Sequence, residues 1–126
     1  MTEFQIGDKV TAIYKTGKYI GEITDIRPQT YLVRVLAVAQ HPMQGDLHNP
    51  KEAEVSFFHE RRALAFREQT NVPKQMVKPF DGEMPEYKDS LREAVDHIKI
   101  ELSATSTEWA ERSLQSIYSL EKDYFK

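Results

Sequence analysis

The sequence predicts an α+β protein: a strand-rich N-terminal half that closes into a small β-barrel, followed by an antiparallel helical hairpin packed on it. Three observations carry this expectation. Three β-type runs joined by short breaks fill residues 9–39. Two apolar stripes at helical spacing follow Pro85. The 126 residues are near the commonest size for a single domain.

The first run, Lys9 to Tyr14, reads K-V-T-A-I-Y, rich in β-branched and aromatic residues. Lys15-Thr16-Gly17-Lys18 supplies a turn in which Gly17 is expected to take a positive φ. The second run, Tyr19 to Arg27, alternates imperfectly, and Gly21 marks a bend or bulge. Pro28-Gln29-Thr30 breaks it before a third run, Tyr31 to Ala39, with Leu32, Val33, Val35, Leu36 and Val38. Three strands so closely spaced make a meander, and closing it hides its edges.

A loop with two prolines follows, His41 to Pro50. Phe57 to Phe66, F-F-H-E-R-R-A-L-A-F, reads as one or two short strands with a turn at its charged centre, a helical turn being the competitor. A connector punctuated by Pro73 and Pro79 holds one short helix around Lys74 to Val77. In the last third, Tyr87, Leu91, Ala94, Val95, Ile98 and Leu102 form one helical stripe, with Pro85 in the first turn and Glu86 and Asp89 favoured by the helix dipole. Thr105 and Glu108 form a capping box for a second helix, with Ala110, Leu114, Ile117, Tyr118, Leu120 and Tyr124 on its apolar side. The expected organisation is residues 1–70 as barrel, 71–85 as connector and 86–126 as hairpin, in one compact unit.

Composition narrows the chemistry. The chain has no cysteine, which removes disulfides, thiolate nucleophiles, cysteine-ligated metals and a lipid attached through cysteine. The acidic opening, without an apolar run, is not that of a signal peptide, and no stretch approaches the roughly 18 apolar residues of a membrane span. A cytoplasmic location is expected. Net charge is −3, distributed unevenly: residues 1–67 hold 9 Lys plus Arg against 8 Asp plus Glu, and residues 68–126 hold 8 against 12. Nucleic acid is therefore not an expected partner.

His41, His48 and His59 lie near Asp46 and Glu60 in the sequence and could converge on zinc, but their spacing matches no ligand motif. The bland reading has them hydrogen-bonded to backbone or lining a surface. His59 and Glu60, with Ser56 nearby, would point to opposite faces of a strand and could not cooperate as an acid–base pair. No phosphate-binding glycine loop or nucleophile elbow is present, so no catalytic residue, metal or cofactor is expected. Arg61, Arg62 and Arg67 either dock an acidic or phosphorylated partner segment or pair with the chain's own Glu60, Glu68 and acidic helices. Tyr14, Tyr19 and Tyr31 are expected to pack in the barrel, and Trp109 to join helices to barrel.

The stretches H-P-M-Q-G-D-L-H (His41–His48), F-F-H-E-R-R-A-L-A-F-R-E-Q-T-N (Phe57–Asn71) and G-D-K-V-T-A-I-Y-K-T-G-K-Y-I-G-E (Gly7–Glu22) resemble the kinase-associated protein B family of spore-forming bacteria. The resemblance spans essentially the whole chain. It implies a non-catalytic accessory role beside a membrane sensor histidine kinase, kinase B, at the start of sporulation, on the kinase's activity or its expression. The opening also looks like an SH3-like small barrel, a fold that hosts many binding roles. Some family members are called lipoproteins, whereas this sequence lacks the cysteine such an anchor uses. The expected partner is the sensor kinase or another phosphorelay protein, which would recruit the chain to the inner face of the membrane. The exposed apolar positions of the helices would also permit a homodimer. His41, Gln44, Asp46, His48, His59, Glu60, Arg61 and Arg62 are the partner-binding candidates, because so many polar groups close together are costly to bury. A nucleic-acid-binding barrel that controls expression, and a histidine-based metal enzyme, are the competing readings.

Overall fold

The computed structural model describes residues 3–45, 51–52 and 58–126. Five strands, β1 (Lys9–Tyr14), β2 (Gly17–Ile26), β3 (Thr30–Gln40), β4 (Gln69–Pro73) and β5 (Val77–Pro79), precede two helices, α1 (Tyr87–Ser103) and α2 (Glu108–Tyr124). The strands form one antiparallel sheet in the order β4-β3-β2-β1-β5. The α+β class expected from the sequence is the observed one.

The β1–β2 hairpin closes through a two-residue turn, with Tyr14 paired to Gly17. Lys15 (φ 50°) and Thr16 (φ 64°) take the left-handed conformation, as a type I′ turn requires. Gly17, expected to supply the positive φ, is instead the first residue of β2. Its missing side chain serves proximity: a Cβ there would lie 2.8 Å from Cζ of Tyr19. Gly21 does sit at an irregularity, because the β2–β3 register shifts between Ile20 and Gly21. A Cβ on Gly21 would run into the Arg34 carbonyl across the ladder and come within 2.9 Å of Cγ1 of Val33.

The sheet curls without closing. β4 and β5 are its two edges, yet a single 3-10 turn, Lys74–Met76, joins them, so the edges must approach each other. Among the described residues no ladder pairs them. Pro73 and Pro79 end the two strands and have no N–H to donate. The stretch 71–85, expected as a connector, therefore carries most of β4 and all of β5, and only its short helix was anticipated. Phe58 to Ala65, expected as strand, is in no ladder, and Phe57 lies outside the described residues.

Two apolar cores result. Val10, Ala12, Ile23, Tyr31, Val33, Val72 and Val77 fill the inside of the curled sheet. Tyr19, Val35 and Val38 face the other way, against Leu91, Val95, Leu102, Trp109, Ile117 and Leu120 of the helices. Ile23 and Tyr19, two residues of equal parity on β2, thus serve different cores, with the register shift at Gly21 between them. A bulge bends its strand and lets it pass from one packing partner to the next.

The helices use different ends from those expected. Pro85, expected in the first turn of α1, precedes the cap residue Glu86, which makes no side-chain capping bond. Ser90 fastens the helix instead: its Oγ accepts from Val38 N–H at 2.9 Å and donates to the Tyr87 carbonyl at 2.7 Å. Thr107, not Thr105, caps α2 by accepting from Ala110 N–H at 3.1 Å, while Thr105 Oγ1 donates to the Glu101 carbonyl. Arg92, early in α1, meets Glu121 and the Phe125 ring at the far end of α2, so the hairpin is antiparallel.

Candidate functional site

The two motif blocks meet, and what holds them is a set of side chains that satisfy a strand-like backbone having no strand partner. Each peptide of the stretch 61–64 needs a donor and an acceptor matched when it leaves water. Gln44 accepts from Arg61 N–H at 2.8 Å and donates to the Arg61 carbonyl at 2.9 Å. The Tyr124 hydroxyl accepts from Ala63 N–H at 2.8 Å. The Tyr19 hydroxyl accepts from Leu64 N–H at 3.3 Å, and the Tyr87 hydroxyl donates to the Leu64 carbonyl at 2.5 Å. A β-type composition without a ladder is explained by these four residues. They come from β2, the loop after β3, α1 and α2.

His41 belongs to the same clasp. It is 1% exposed, so the surface role expected for it does not fit its placement. Its Nδ1 lies 2.9 Å from the Pro42 carbonyl, which can only accept, so Nδ1 carries the proton. Nε2, 2.9 Å from the Tyr124 hydroxyl, must then accept. The result is a one-way relay: Ala63 N–H to Tyr124, Tyr124 O–H to His41 Nε2, and His41 Nδ1–H to the Pro42 carbonyl. The imidazole is neutral in it. Burial holds its pKa below the ordinary 6.5, and the bond to Pro42 opposes that only in part. Burial also pushes the Tyr19 hydroxyl up to about 12 and raises Tyr87 and Tyr124, so all three remain protonated.

Gln44 is 3% exposed and fully used: beyond Arg61, its Nε2 donates to the Pro42 carbonyl at 3.1 Å. Trp109 Nε1–H donates to the Gln44 carbonyl at 3.2 Å, which makes Trp109 the joint between α2 and the sheet-borne loop. Arg61 Nε–H donates to the Gly45 carbonyl at 3.0 Å, and Gly45 N–H to the His59 carbonyl at 2.9 Å. Arg62 takes the self-pairing course. Its guanidinium bonds the Asp123 carboxylate at 2.5 Å and lies over the Tyr124 ring at 5.2 Å. That contact raises the Arg62 pKa, the Asp123 carboxyl is held below its ordinary range first by Lys126 and then by Arg62, and both Arg62 and Asp123 are partly in solvent.

Of the eight sequence candidates, His41 and Gln44 are buried, Arg61 is half-buried, and His59, Glu60 and Arg62 are exposed. Asp46 and His48 lie outside the described residues, as does Ser56. Among the described residues no three His, Asp or Glu side chains gather in a metal-binding group. Glu60, Arg61 and Arg62, but not His59, border a hollow of about 350 Å³ whose other wall is the β1–β2 turn: Tyr14, Lys15, Thr16 and Tyr19 face Pro42, Glu60, Arg61, Arg62 and Leu64. Met43 N–H donates to Thr16 Oγ1 at 2.9 Å, which fixes the turn against the loop. Lys15, absent from the sequence-based candidates, presents its ammonium 5.4 Å from the Tyr14 ring centre. No local motif signals Lys15, because its place at the hollow comes from the turn's left-handed geometry. No helix among the described residues is long and apolar enough to cross a membrane.

Comparison with known proteins agrees along the chain. The family model described as "Kinase associated protein B" matches residues 14–125. The curated "Kinase-associated lipoprotein B" of Bacillus subtilis (strain 168) is 58% identical over 125 residues, covering 99% of this chain and 98% of the relative. The X-ray crystal structure of kinase-associated protein B from Bacillus cereus superposes with a TM-score of 0.83 at 49% identity, covering 97% of this chain and 98% of that one.

Proposed function

The chain belongs to the kinase-associated protein B family, and from that premise we propose that it is a non-catalytic accessory protein that supports a sensor histidine kinase by direct protein–protein contact. The setting would be the phosphorelay that starts sporulation, as the family resemblance implies, on the cytoplasmic side of the membrane. One observation carries the reading. The His41 imidazole and the Gln44 amide are consumed in the clasp, while Glu60 and Arg62 of the same blocks reach solvent beside Lys15. A clasp that uses every polar atom of these two side chains leaves neither free to act on a substrate. A rigidly backed, charged hollow is instead suited to choosing a protein partner by charge complementarity.

Support for an SH3-like reading of the sheet comes from the order β4-β3-β2-β1-β5 and the 3-10 turn between its last two strands. Such a frame would present the β1–β2 turn as a contact loop. The test is capture of the protein by the cytoplasmic portion of the sensor kinase, with Lys15→Glu and Glu60→Lys as separate variants. Both positions are exposed and outside the clasp, so folding should be retained. Reversal of either charge should weaken capture at least about tenfold, since like charges brought together at an interface cost several kcal/mol. Undiminished capture by both variants would remove this face from the mechanism. Failure of the unaltered protein to be captured would remove direct contact itself.

A further inference from the structure

A second cavity, of about 260 Å³, lies where α1 and the start of α2 meet the loop after β3. Its apolar wall includes Met43, Ala94, Ile98, Leu102 and Trp109. Apart from the exposed Gln40 and Lys51, its polar wall is already spoken for, with one exception. His41 and Gln44 are saturated by the clasp, and Thr107 Oγ1 accepts from Ala110 N–H. Thr105 Oγ1 donates to Glu101, and the exposed His97 and Glu101 pair with each other. Ser113 is the exception. It is fully buried, and its Oγ has no hydrogen-bond partner among the described residues.

A serine inside a helix ordinarily donates back to the carbonyl one turn earlier, which here belongs to Trp109. Ser113 makes no such bond. A buried hydroxyl without a partner costs free energy on the order of 1–3 kcal/mol, and natural sequences retain such groups where something else meets them. Alanine at this position would be the better helix former and would remove the cost. A buried hydroxyl kept in the wall of a cavity whose other buried polar side chains are paired has a use when a guest fills that cavity.

We propose that this cavity is a binding site for a small neutral molecule with a compact apolar body and one hydroxyl or carbonyl group, which Ser113 Oγ recognises. The size fits: an apolar cavity of about 150 Å³ takes up benzene, so this one admits a substituted ring or a short branched chain. The apolar body lies against Trp109, Leu102 and Ile98. The guest's oxygen and Ser113 each have a donor or an acceptor to offer, so either a hydroxyl or a carbonyl completes the pair. Because the cavity joins both helices to the loop that carries the clasp, a guest would stiffen the same junction that backs the charged hollow. The inference does not depend on the kinase reading.

Trp109 is the only tryptophan in the chain, so its indole N–H resonance reports the cavity alone. The probes are benzyl alcohol and toluene, added at millimolar concentration to the full-length protein. Benzyl alcohol should move the Trp109 resonance saturably and raise the melting temperature. It should bind about two- to tenfold more tightly than toluene, the range expected of one hydrogen bond. Ser113→Ala should fold and should bind the two probes equally. Ile98→Phe, which narrows the cavity from a half-buried position, should abolish binding of both. Absence of any saturable response to benzyl alcohol would overturn the proposal. So would a preference for benzyl alcohol that survives in Ser113→Ala, or binding unaffected by Ile98→Phe.

Discussion

The two cores are built on opposite principles. The one inside the curled sheet is made of strand side chains and held by backbone ladders, local among β1, β2 and β3 and long-range to β4 and β5. The one between sheet and helices is apolar at its centre, but polar bonds that span most of the chain fasten its border. His41 to Tyr124 crosses 83 residues, Gln44 to Trp109 crosses 65, and Ala63 to Tyr124 crosses 61. A hydrophobic face tolerates sliding, because burial is non-directional. Directional hydrogen bonds do not, so the second core specifies how helices, motif blocks and the β1–β2 turn sit together. The lesson is that the candidate surface depends on the polar border more than on either core.

The largest effect should come from removing the joint. Trp109→Ala should destabilise the protein by about 3–5 kcal/mol, by loss of ring burial and of its bond to Gln44, measurable by urea unfolding. Ile117→Ala and Ile23→Ala, one in each core and both fully buried, should each cost about 2–5 kcal/mol. They should nevertheless differ in kind. Hydrogen exchange in Ile117→Ala should speed up across α1, α2 and residues 61–64 and leave β1–β2 protected, whereas Ile23→Ala should loosen the sheet. A uniform response to both would mean that the two cores form one cooperative unit.

Next in size is Tyr124→Phe, which keeps the ring and removes the hydroxyl. It leaves the Ala63 N–H without its acceptor and the His41 Nε2 without its donor, at a cost of about 1–3 kcal/mol. An equal loss in the His41→Phe background would show that the two do not act as one relay.

The clasp also predicts the sign of a pH effect. The folded-state pKa of His41 lies below the 6.5 of an unfolded imidazole. Between the two values the unfolded chain binds the extra proton, so stability rises with pH there. The contribution is complete above 6.5 and is lost as pH falls through the folded value. The groups that face this region are Tyr124 and Arg62, with Glu60 and Asp123 beyond them. His41→Phe should flatten the slope of stability between pH 5 and 6.5, followed by denaturant midpoints. A slope unchanged by that substitution would assign the proton uptake elsewhere. The smallest effect belongs to the exposed Arg62–Asp123 pair, where Asp123→Asn should leave the denaturant midpoint nearly unchanged.

The same division explains what could be read in advance. β1 to β3 and both helices announce themselves by period, because their hydrogen bonds are local or lie between neighbouring hairpin strands. β4 and β5 do not, being short, closed by proline and paired to strands far back in the chain. Residues 58–65 carry strand composition but find their partners in Gln44, Tyr19, Tyr87 and Tyr124, which no window of sequence could place beside them. The capping-box spacing points to Thr105, but its hydroxyl donates to the Glu101 carbonyl and Thr107 caps α2 instead. Among the partner-binding candidates, the motif blocks were recognisable as a unit, but not that His41 and Gln44 face inward. An imidazole beside a proline carbonyl and a distant tyrosine is as well satisfied indoors as in water.

The relay through Tyr124 also sets an order of events during synthesis. Tyr124, the residue that locks the motif blocks, is added after every strand and nearly all of both helices. Until then Ala63 N–H and the His41 ring are open to water, and the apolar faces of β3 and α1 have no cover from α2. A released chain truncated after Ala104 would expose those faces to chaperones or proteases. The clasp is therefore also a completion mark, closed only when translation has passed its last aromatic hydroxyl.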